Sequence, residues 1–418
     1  MSRRNRDSRR ERKKIIRRRR VLLLLVVLIS IPILYGGSKF TINKIKTLYS
    51  TIVKGEDSAG EGSTITSAGE GAEEPVIRNV KILSAGDIMF HMPQVKSGYT
   101  GDGKYDFTSS FKYVKKYIDE ADIAIANYVS VASGNDKKFS GAPHFNSPKE
   151  TLRDIKEAGF NTVSTINNHS LDGGKSGLLS TLEYAKKYKL KTVGTYKVDQ
   201  DRYLIEEKNG IKIGFLAYTD GLNGLEFYLS DEELSQMVNL IDEEKIKTDI
   251  EKLKEKTDIV LVSVHWGEEY QREPDENQID LGHKMVDWGA NIILGSGPQV
   301  VQETETVRRA GSDNLIVYSM GNFLSNQRED TEGNAFPQDG VMLEIDIEKN
   351  MTNDSTFIRD VEVLPTWVNK YSESGKEVFQ ILPTFDALSG NIGMELDSSV
   401  LDRIEKSQED SLEILNYR

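Results

Sequence analysis

No cysteine occurs in the 418 residues, which excludes disulfide bridges and thiolate-ligated metal centres. Its absence does not fix the compartment, because many exported proteins manage without disulfides. Charge is missing from Val21 to Tyr35, VLLLLVVLISIPILY, the one long apolar run near the N-terminus. Large apolar residues are missing from KGEDSAGEGSTITSAGEGAEEP, which repeats SAGEG and is rich in Gly, Ser and Glu. Such a segment cannot build a core, and it reads as a flexible stalk. Positive charge is concentrated before Val21: residues 1–20 hold twelve Lys/Arg against Asp7 and Glu11. With a net charge of −12 for the whole chain, everything after Arg20 sums to about −22.

A basic arm followed directly by an uncharged run has the layout of a membrane anchor. The run falls somewhat short of the roughly 20 residues a spanning helix prefers, and flanking residues can extend it. The positive-inside tendency then keeps the arginines in the cytoplasm and places the rest of the chain outside. A cleaved signal peptide is the alternative, since Gly36, Gly37 and Ser38 are small. No clear A-x-A site follows, and an uncleaved single-pass anchor is expected. The apolar run also argues against nucleic acid as the partner of the basic arm. The expected organisation is an arm over 1–20, an anchor over 21–37, a stalk over 38–79, a main extracytoplasmic domain over 80–350 and an extension over 351–418 packing on it.

From Val80 onward, short β-type runs alternate with amphipathic helical ones, the pattern of an α/β domain. Expected strands are VKILSAGD, DIAIAN, FNTVSTI, LKTVGTY, IKIGFLAYT, DIVLVSVHW, NIILGSG, NLIVYSMGN and GVMLEIDI. Expected helices include SPKETLRDIKEAG, with Pro148 in its first turn, GLLSTLEYAKKYK, and ENQIDLGHKMVDWGA, ending at a glycine. In the tail, TFIRDVEVLPTWV reads as a strand and DSSVLDRIEKSQEDSLEILNY as a charged amphipathic segment.

Several strands deliver polar residues at their C-terminal ends: Asp87, Asn127, Asn168 with His169, His265 and Asn322. In open α/β sheets this edge is where ligands bind. An Asp, an Asn and two His offer oxygen and imidazole donors suited to Mn, Zn or Fe. Taken singly each has a plainer explanation. His265, between Val264 and Trp266, suits a packing histidine, and Asn168 suits the turn made by Asp172, Gly173 and Gly174.

The ordered motifs GDIMF, ADIAIAN, FNSPKETLRDIKEAGFNTVSTINNHSLDGG, HWGEEY, GSGPQVVQ and VYSMGNFLSNQ resemble those of the CapA family of bacterial capsule and poly-gamma-glutamate biosynthesis proteins. The resemblance spans roughly Lys81 to Ile347. It implies a calcineurin-like metallophosphoesterase fold, a four-layer sandwich of two stacked sheets flanked by helices, and a role in making, exporting or tethering an anionic surface polymer. It also implies metal ligands at Asp87, Asn168 and His265, and a general acid at His169. Asn127, Asn167, Asp172, Trp266, Glu268 and Asn322 fall to substrate contacts. The chain departs from the pattern at three points. Val129 stands where the family has the glutamate of N-x-E, and Gly297 and Gln299 stand where it has histidines.

Valine and glycine cannot ligate a metal, and a glutamine carbonyl is a poor substitute for imidazole. A two-metal site is therefore not expected. One divalent ion (Mn, Zn or Fe), weakly held, is the expected cofactor, and restoring Val129→Glu, Gly297→His and Gln299→His would be expected to raise metal content.

Three functions follow as alternatives: a polymer-binding accessory with a degenerate cleft, a working hydrolase or transferase on a phosphoester or amide-linked polymer, and a structural partner of other capsule synthesis or export membrane proteins. The acidic ectodomain repels a polyanion at long range, although salt confines that repulsion to about 8 Å. Topology is directly testable. Protease added to intact protoplasts should remove residues after about Lys81 while the arm stays protected. Resistance of the domain, or its release with an N-terminus near Gly37, would contradict an uncleaved anchor.

Overall fold

The β-type runs of this chain have apolar side chains on both faces, and a strand of that kind needs a hydrophobic layer on each side. The computed structural model, which describes residues 75–415, supplies both layers. The basic arm, the expected anchor and nearly all of the stalk lie outside the described residues. Among the described residues no helix is long and apolar enough to cross a membrane.

Sixteen strands are present among the described residues. They are β1 (Ile77–Ile88), β2 (Tyr99–Gly101), β3 (Lys104–Tyr105), β4 (Ile123–Tyr128), β5 (Thr162–Ser164), β6 (Lys191–Val193), β7 (Leu204–Lys208), β8 (Ile211–Thr219), β9 (Ile259–His265), β10 (Ile292–Ser296), β11 (Thr304–Arg309), β12 (Ser312–Val317), β13 (Asn322–Leu324), β14 (Asp339–Asn350), β15 (Ser355–Glu373) and β16 (Lys376–Pro383). The longer helices are α1 (Glu150–Glu157), α2 (Gly174–Lys187), α3 (Glu243–Lys254), α4 (Glu276–Trp288) and α5 (Ser398–Ile414).

Apart from the small β2–β3 hairpin, the strands form two mixed sheets. One runs β16-β15-β14-β1-β4-β5-β6, with β13 also paired to β1; the other runs β11-β12-β10-β9-β8-β7. The central pairs β1–β4, β4–β5, β8–β9 and β9–β10 are parallel, whereas β14 joins β1 antiparallel. Alternation along single strands assigns the faces. Ile123 and Ile125 of β4 belong to a cluster shared with Ile213, Phe215, Ile259 and Leu261 of the other sheet, so the two sheets face each other. Ala124 and Ala126 point the opposite way, into a layer with Leu152 and Ile155 of α1. On the second sheet Val260 and Val262 point outward against Ile250 of α3 and Met285 of α4. The molecule is thus an α/β structure of two stacked sheets with helices outside.

Local signals explain the helix ends. Asp275 caps α4 by accepting from the Gln278 N–H, and Gly289 closes it with φ 118°, a conformation suited to glycine. Helix α1 starts at Glu150, with Pro148 in the preceding turn, where its carbonyl accepts from Thr151. The tail beyond Asn350 contributes more than a helix: β15 and β16 continue the first sheet, and Trp367, Leu382 and Ile404 form a small cluster between those strands and α5. The charged segment forms α5 as expected from its pattern, but β16 lacked a sequence signal strong enough to find.

The shared inter-sheet layer makes Phe215 a sensitive position. Phe215→Ala should cost about 3–5 kcal/mol in urea unfolding. Phe227→Ala, at a residue 71% exposed, should stay within about 0.5 kcal/mol. Equal effects would contradict a core placed between the sheets.

Candidate functional site

The parallel strands end together and align their last side chains. Asp87 of β1 is in register with Asn127 of β4 and Asn322 of β13, and His265 of β9 with Ser296 of β10 and Thr219 of β8. One row comes from each sheet, and the rows meet at the Asn127 amide. Its Nδ2 donates to Asp87 Oδ1 at 2.7 Å and lies 3.1 Å from Ser296 Oγ and 3.2 Å from His265 Nδ1. Two amide hydrogens therefore serve three acceptors drawn from both sheets. The amide orientation is fixed from behind, since its Oδ1 accepts from Asn167 Nδ2 at 3.3 Å. Turning it over would set two NH2 groups against each other and a carbonyl against the Asp87 carboxylate.

Burial shapes the charges here. The Asp87 carboxyl is pushed up to about 6 by loss of solvent, although the Asn127 amide and the Gly297 N–H favour its ionised form. His265 is brought down to about 3 and His91 to about 4, chiefly by burial and further by the nearby charge of His169. Both are neutral imidazoles at physiological pH.

The INNHSLD segment leaves β5 as a turn held by its own side chains. Ser170 Oγ accepts from the Asn167 N–H at 2.8 Å, and Asn167 Oδ1 accepts from the His169 N–H at 3.0 Å. Asn167 Nδ2 also donates to the Tyr128 carbonyl at 2.9 Å. His169 Nδ1 lies 2.7 Å from Asp172 Oδ2, and the Asp172 side chain is fully buried. An ionised Asp172 only accepts, so Nδ1 carries the proton and Nε2 is left for a ligand. The Phe145 ring meets His169 edge-on at 4.7 Å and His91 at 5.1 Å, tying both imidazoles to one wall.

The structure thus brings together Asp87, Asn127, Asn167 and His265, with the His169–Asp172 pair beside them. Asn168 is turned the other way: its Nδ2 donates to Asn223 Oδ1 at 3.4 Å, while its Oδ1 is buried without a partner among the described residues. Trp266 is packed away, its indole N–H given to the Tyr318 carbonyl at 2.9 Å, and Glu268 is exposed. Asn322 Nδ2 donates to Gln327 Oε1 and to the Pro337 carbonyl. Sequence reasoning missed Ser296, Gln327 and His91. Ser296 sits in GSGPQ beside positions weighed only as lost ligands, and His91 directly follows GDIMF.

The three departures from the family pattern have distinct structural causes. Val129 packs with Met89 and Phe145 in an apolar cluster. Gln299 donates to Glu269 Oε1 at 2.7 Å and accepts from Gln327. Gly297 has φ 112°, and a Cβ built there would lie 2.4 Å from the Trp266 carbonyl oxygen, so only glycine fits.

These residues do not fit a two-metal centre. The gap between Asp87, His265 and Ser296 is filled by an amide NH2, and among the described residues no group of three His, Cys, Asp or Glu could hold an ion. A single ion would find only one carboxylate, Asp87, and one imidazole, His265, since Asn168 is bonded to Asn223 instead.

Residues 81–327 match the model of the family described as Bacterial capsule synthesis protein PGA_cap. The chain is 30% identical over 254 residues to the capsule biosynthesis protein CapA of Bacillus anthracis, a match covering 58% of this chain and 59% of that protein. It is 29% identical over 325 residues to the PGA biosynthesis protein CapA of Bacillus subtilis (strain 168), covering 74% and 81%. Among solved structures, one described as a novel phosphatase from Mycoplasma pneumoniae aligns with TM-score 0.43 and 14% identity over 69% of this chain and 94% of that one.

The geometry reverses one expectation. Gly297→Ala alone should destabilise the domain by at least about 1–3 kcal/mol through backbone strain. The triple replacement Val129→Glu, Gly297→His, Gln299→His should therefore lower Tm sharply instead of raising metal content. A folded triple variant with two bound metals by elemental analysis would contradict this.

Proposed function

The chain belongs to the bacterial capsule synthesis protein family, and from that premise we propose that it is a membrane-anchored, extracytoplasmic protein acting in the synthesis, export or tethering of an anionic capsule polymer of poly-gamma-glutamate type. The two Bacillus relatives are described as capsule and PGA biosynthesis proteins, which supports the polymer class. The uncharged Val21–Tyr35 run after a basic arm supports the anchor. Two facing sheets with outer helices are compatible with a calcineurin-like metallophosphoesterase sandwich whose metal centre has degenerated.

The observation that carries the reading of the cleft is the Asn127 amide standing where strand-end ligands converge, with the His169–Asp172 pair intact beside it. The amide satisfies Asp87 and His265 within the protein. His169 offers Nε2 to an anionic group, as donor when protonated and acceptor when neutral. Asp172, 2.7 Å from Nδ1, fixes the ring. Any Mn, Zn or Fe is held singly and weakly at Asp87 and His265, because Asn168, bonded to Asn223, drops out of the expected ligand set. The partners of the anchor are the membrane and other capsule synthesis or export proteins.

The same pair favours a second reading. An imidazole backed by a buried carboxylate can move a proton at Nε2, as a hydrolase or transferase acting on a phosphoester or an amide-linked polymer requires.

Replacement of His169 by Ala, in cells with matched protein levels, should reduce surface polymer by about tenfold or more, the loss expected for one hydrogen bond to a charged group. Asp172→Asn should reduce it less. If His169→Ala is silent while deletion of the ectodomain abolishes polymer, the domain acts through another surface. Metal analysis of chelator-free protein should find well under one ion per chain, and two would promote the hydrolase.

A further inference from the structure

A cavity of about 650 Å³ opens where the C-terminal strands meet α5. Its lining shares no residue with the Asn127 site, although Arg328 directly follows Gln327 of the cleft wall. Two guanidinium groups converge on it. Arg403 gives Nη2 to the Ala335 carbonyl at 2.9 Å and to Asp339 Oδ1 at 2.7 Å, and Arg328 gives Nη1 to the Val368 carbonyl at 2.9 Å. That leaves donors over. Arg403 Nε and Nη1 are buried with no partner among the described residues, and so is Nε1 of Trp367, a residue 4% exposed. The Arg328 guanidinium lies over the Trp367 ring, 5.8 Å from its centre.

Buried N–H groups left without acceptors cost about 1–3 kcal/mol each, more on charged groups, and native structures retain few of them. Here three gather at one cavity, and two like charges share it. Burial lowers the Arg328 pKa; Asp330 opposes that shift, and repulsion from Arg403 adds to it. The first turn of α5 adds its positive end, since Ser399 and Val400 also line the space. What Arg403 Nε, Arg403 Nη1 and Trp367 Nε1 lack is an acceptor.

We infer that this cavity is a binding site for a carboxylate, held by the guanidinium groups of Arg328 and Arg403 with the Trp367 indole N–H as a third donor. Neighbouring acids decide between anions. Lys370 is paired to Glu377 at 2.9 Å, Asp330 lies 3.8 Å from Arg328, and Glu329 also lines the cavity. Arg328, Lys370 and Arg403 are thus matched by Glu329, Asp330 and Glu377, which leaves no surplus of positive charge for a phosphate dianion and suits a planar monoanion better. A guanidinium fork matches carboxylate geometry. The site does not depend on the capsule reading, because the carboxylate can belong to a γ-linked glutamyl chain or to a free dicarboxylic acid.

Calorimetric titration of the full-length protein in detergent with glutarate and with a γ-linked glutamate trimer distinguishes the sources. Tighter binding of the trimer assigns the site to the polymer; equal or tighter binding of glutarate assigns it to a free dicarboxylate. Arg328→Gln should weaken binding of the better probe at least tenfold. Arg403→Lys, which keeps a cation beside Asp339 but removes the fork, should do the same, and Trp367→Phe should weaken it several-fold with Tm nearly unchanged. Failure of both probes to bind the unaltered protein overturns the inference. So does unchanged affinity in folded Arg328→Gln and Trp367→Phe.

Discussion

One side-chain amide, that of Asn127, joins the two halves of this molecule. It sits at the end of β4 in one sheet and reaches Ser296 and His265 in the other, while its near neighbour Asp87 is a fully buried carboxylate. A charge in that position must be met by donors or a cation, because burial without either costs several kcal/mol. The amide and the Gly297 N–H meet it here. Each strand end is then placed by its neighbour: the Asn127 carbonyl holds Asn167, Asn167 holds the His169 backbone, and Asp172 holds the His169 ring.

The chain of contacts also explains why the wall facing Asp87 can differ from the family pattern without collapse. Val129 is absorbed into an apolar cluster with Phe145, whose ring supports His91 and His169. Gln299 and Gln327 form an amide network that closes on Tyr270 and Glu269. The side-chain amides along this wall meet one another within the protein, and hydrogen-bonded networks of this kind rigidify their surroundings.

Much of this was legible in the sequence. The nine expected strands all appear, because two-sided apolar runs with polar ends have few other uses in an α/β chain, and the strand-end rule located Asp87, Asn127 and His265 together. What was not legible depended on loop geometry. Asn167 and Asn168 are adjacent and chemically identical, and only the turn built by Ser170 decides that Asn167 faces inward. Gly297 looked like a lost ligand, whereas its φ and the Trp266 carbonyl require a residue without a side chain. Strand β16, KEVFQILP, alternates too weakly to be separated from a loop by pattern alone.

The pairing of β1 with β14 sets the order in which the domain can form. Ala85 bonds opposite Met342 and Ile77 opposite Asn350, so the strand that begins the described structure has no partner on that side until nearly the whole chain exists. Closing so long a loop is entropically costly, and folds dominated by such contacts form slowly. During synthesis β1 therefore waits as an exposed, apolar strand edge. That edge invites aggregation until the C-terminal strands arrive, which makes this chain a candidate client for a chaperone that shields β edges.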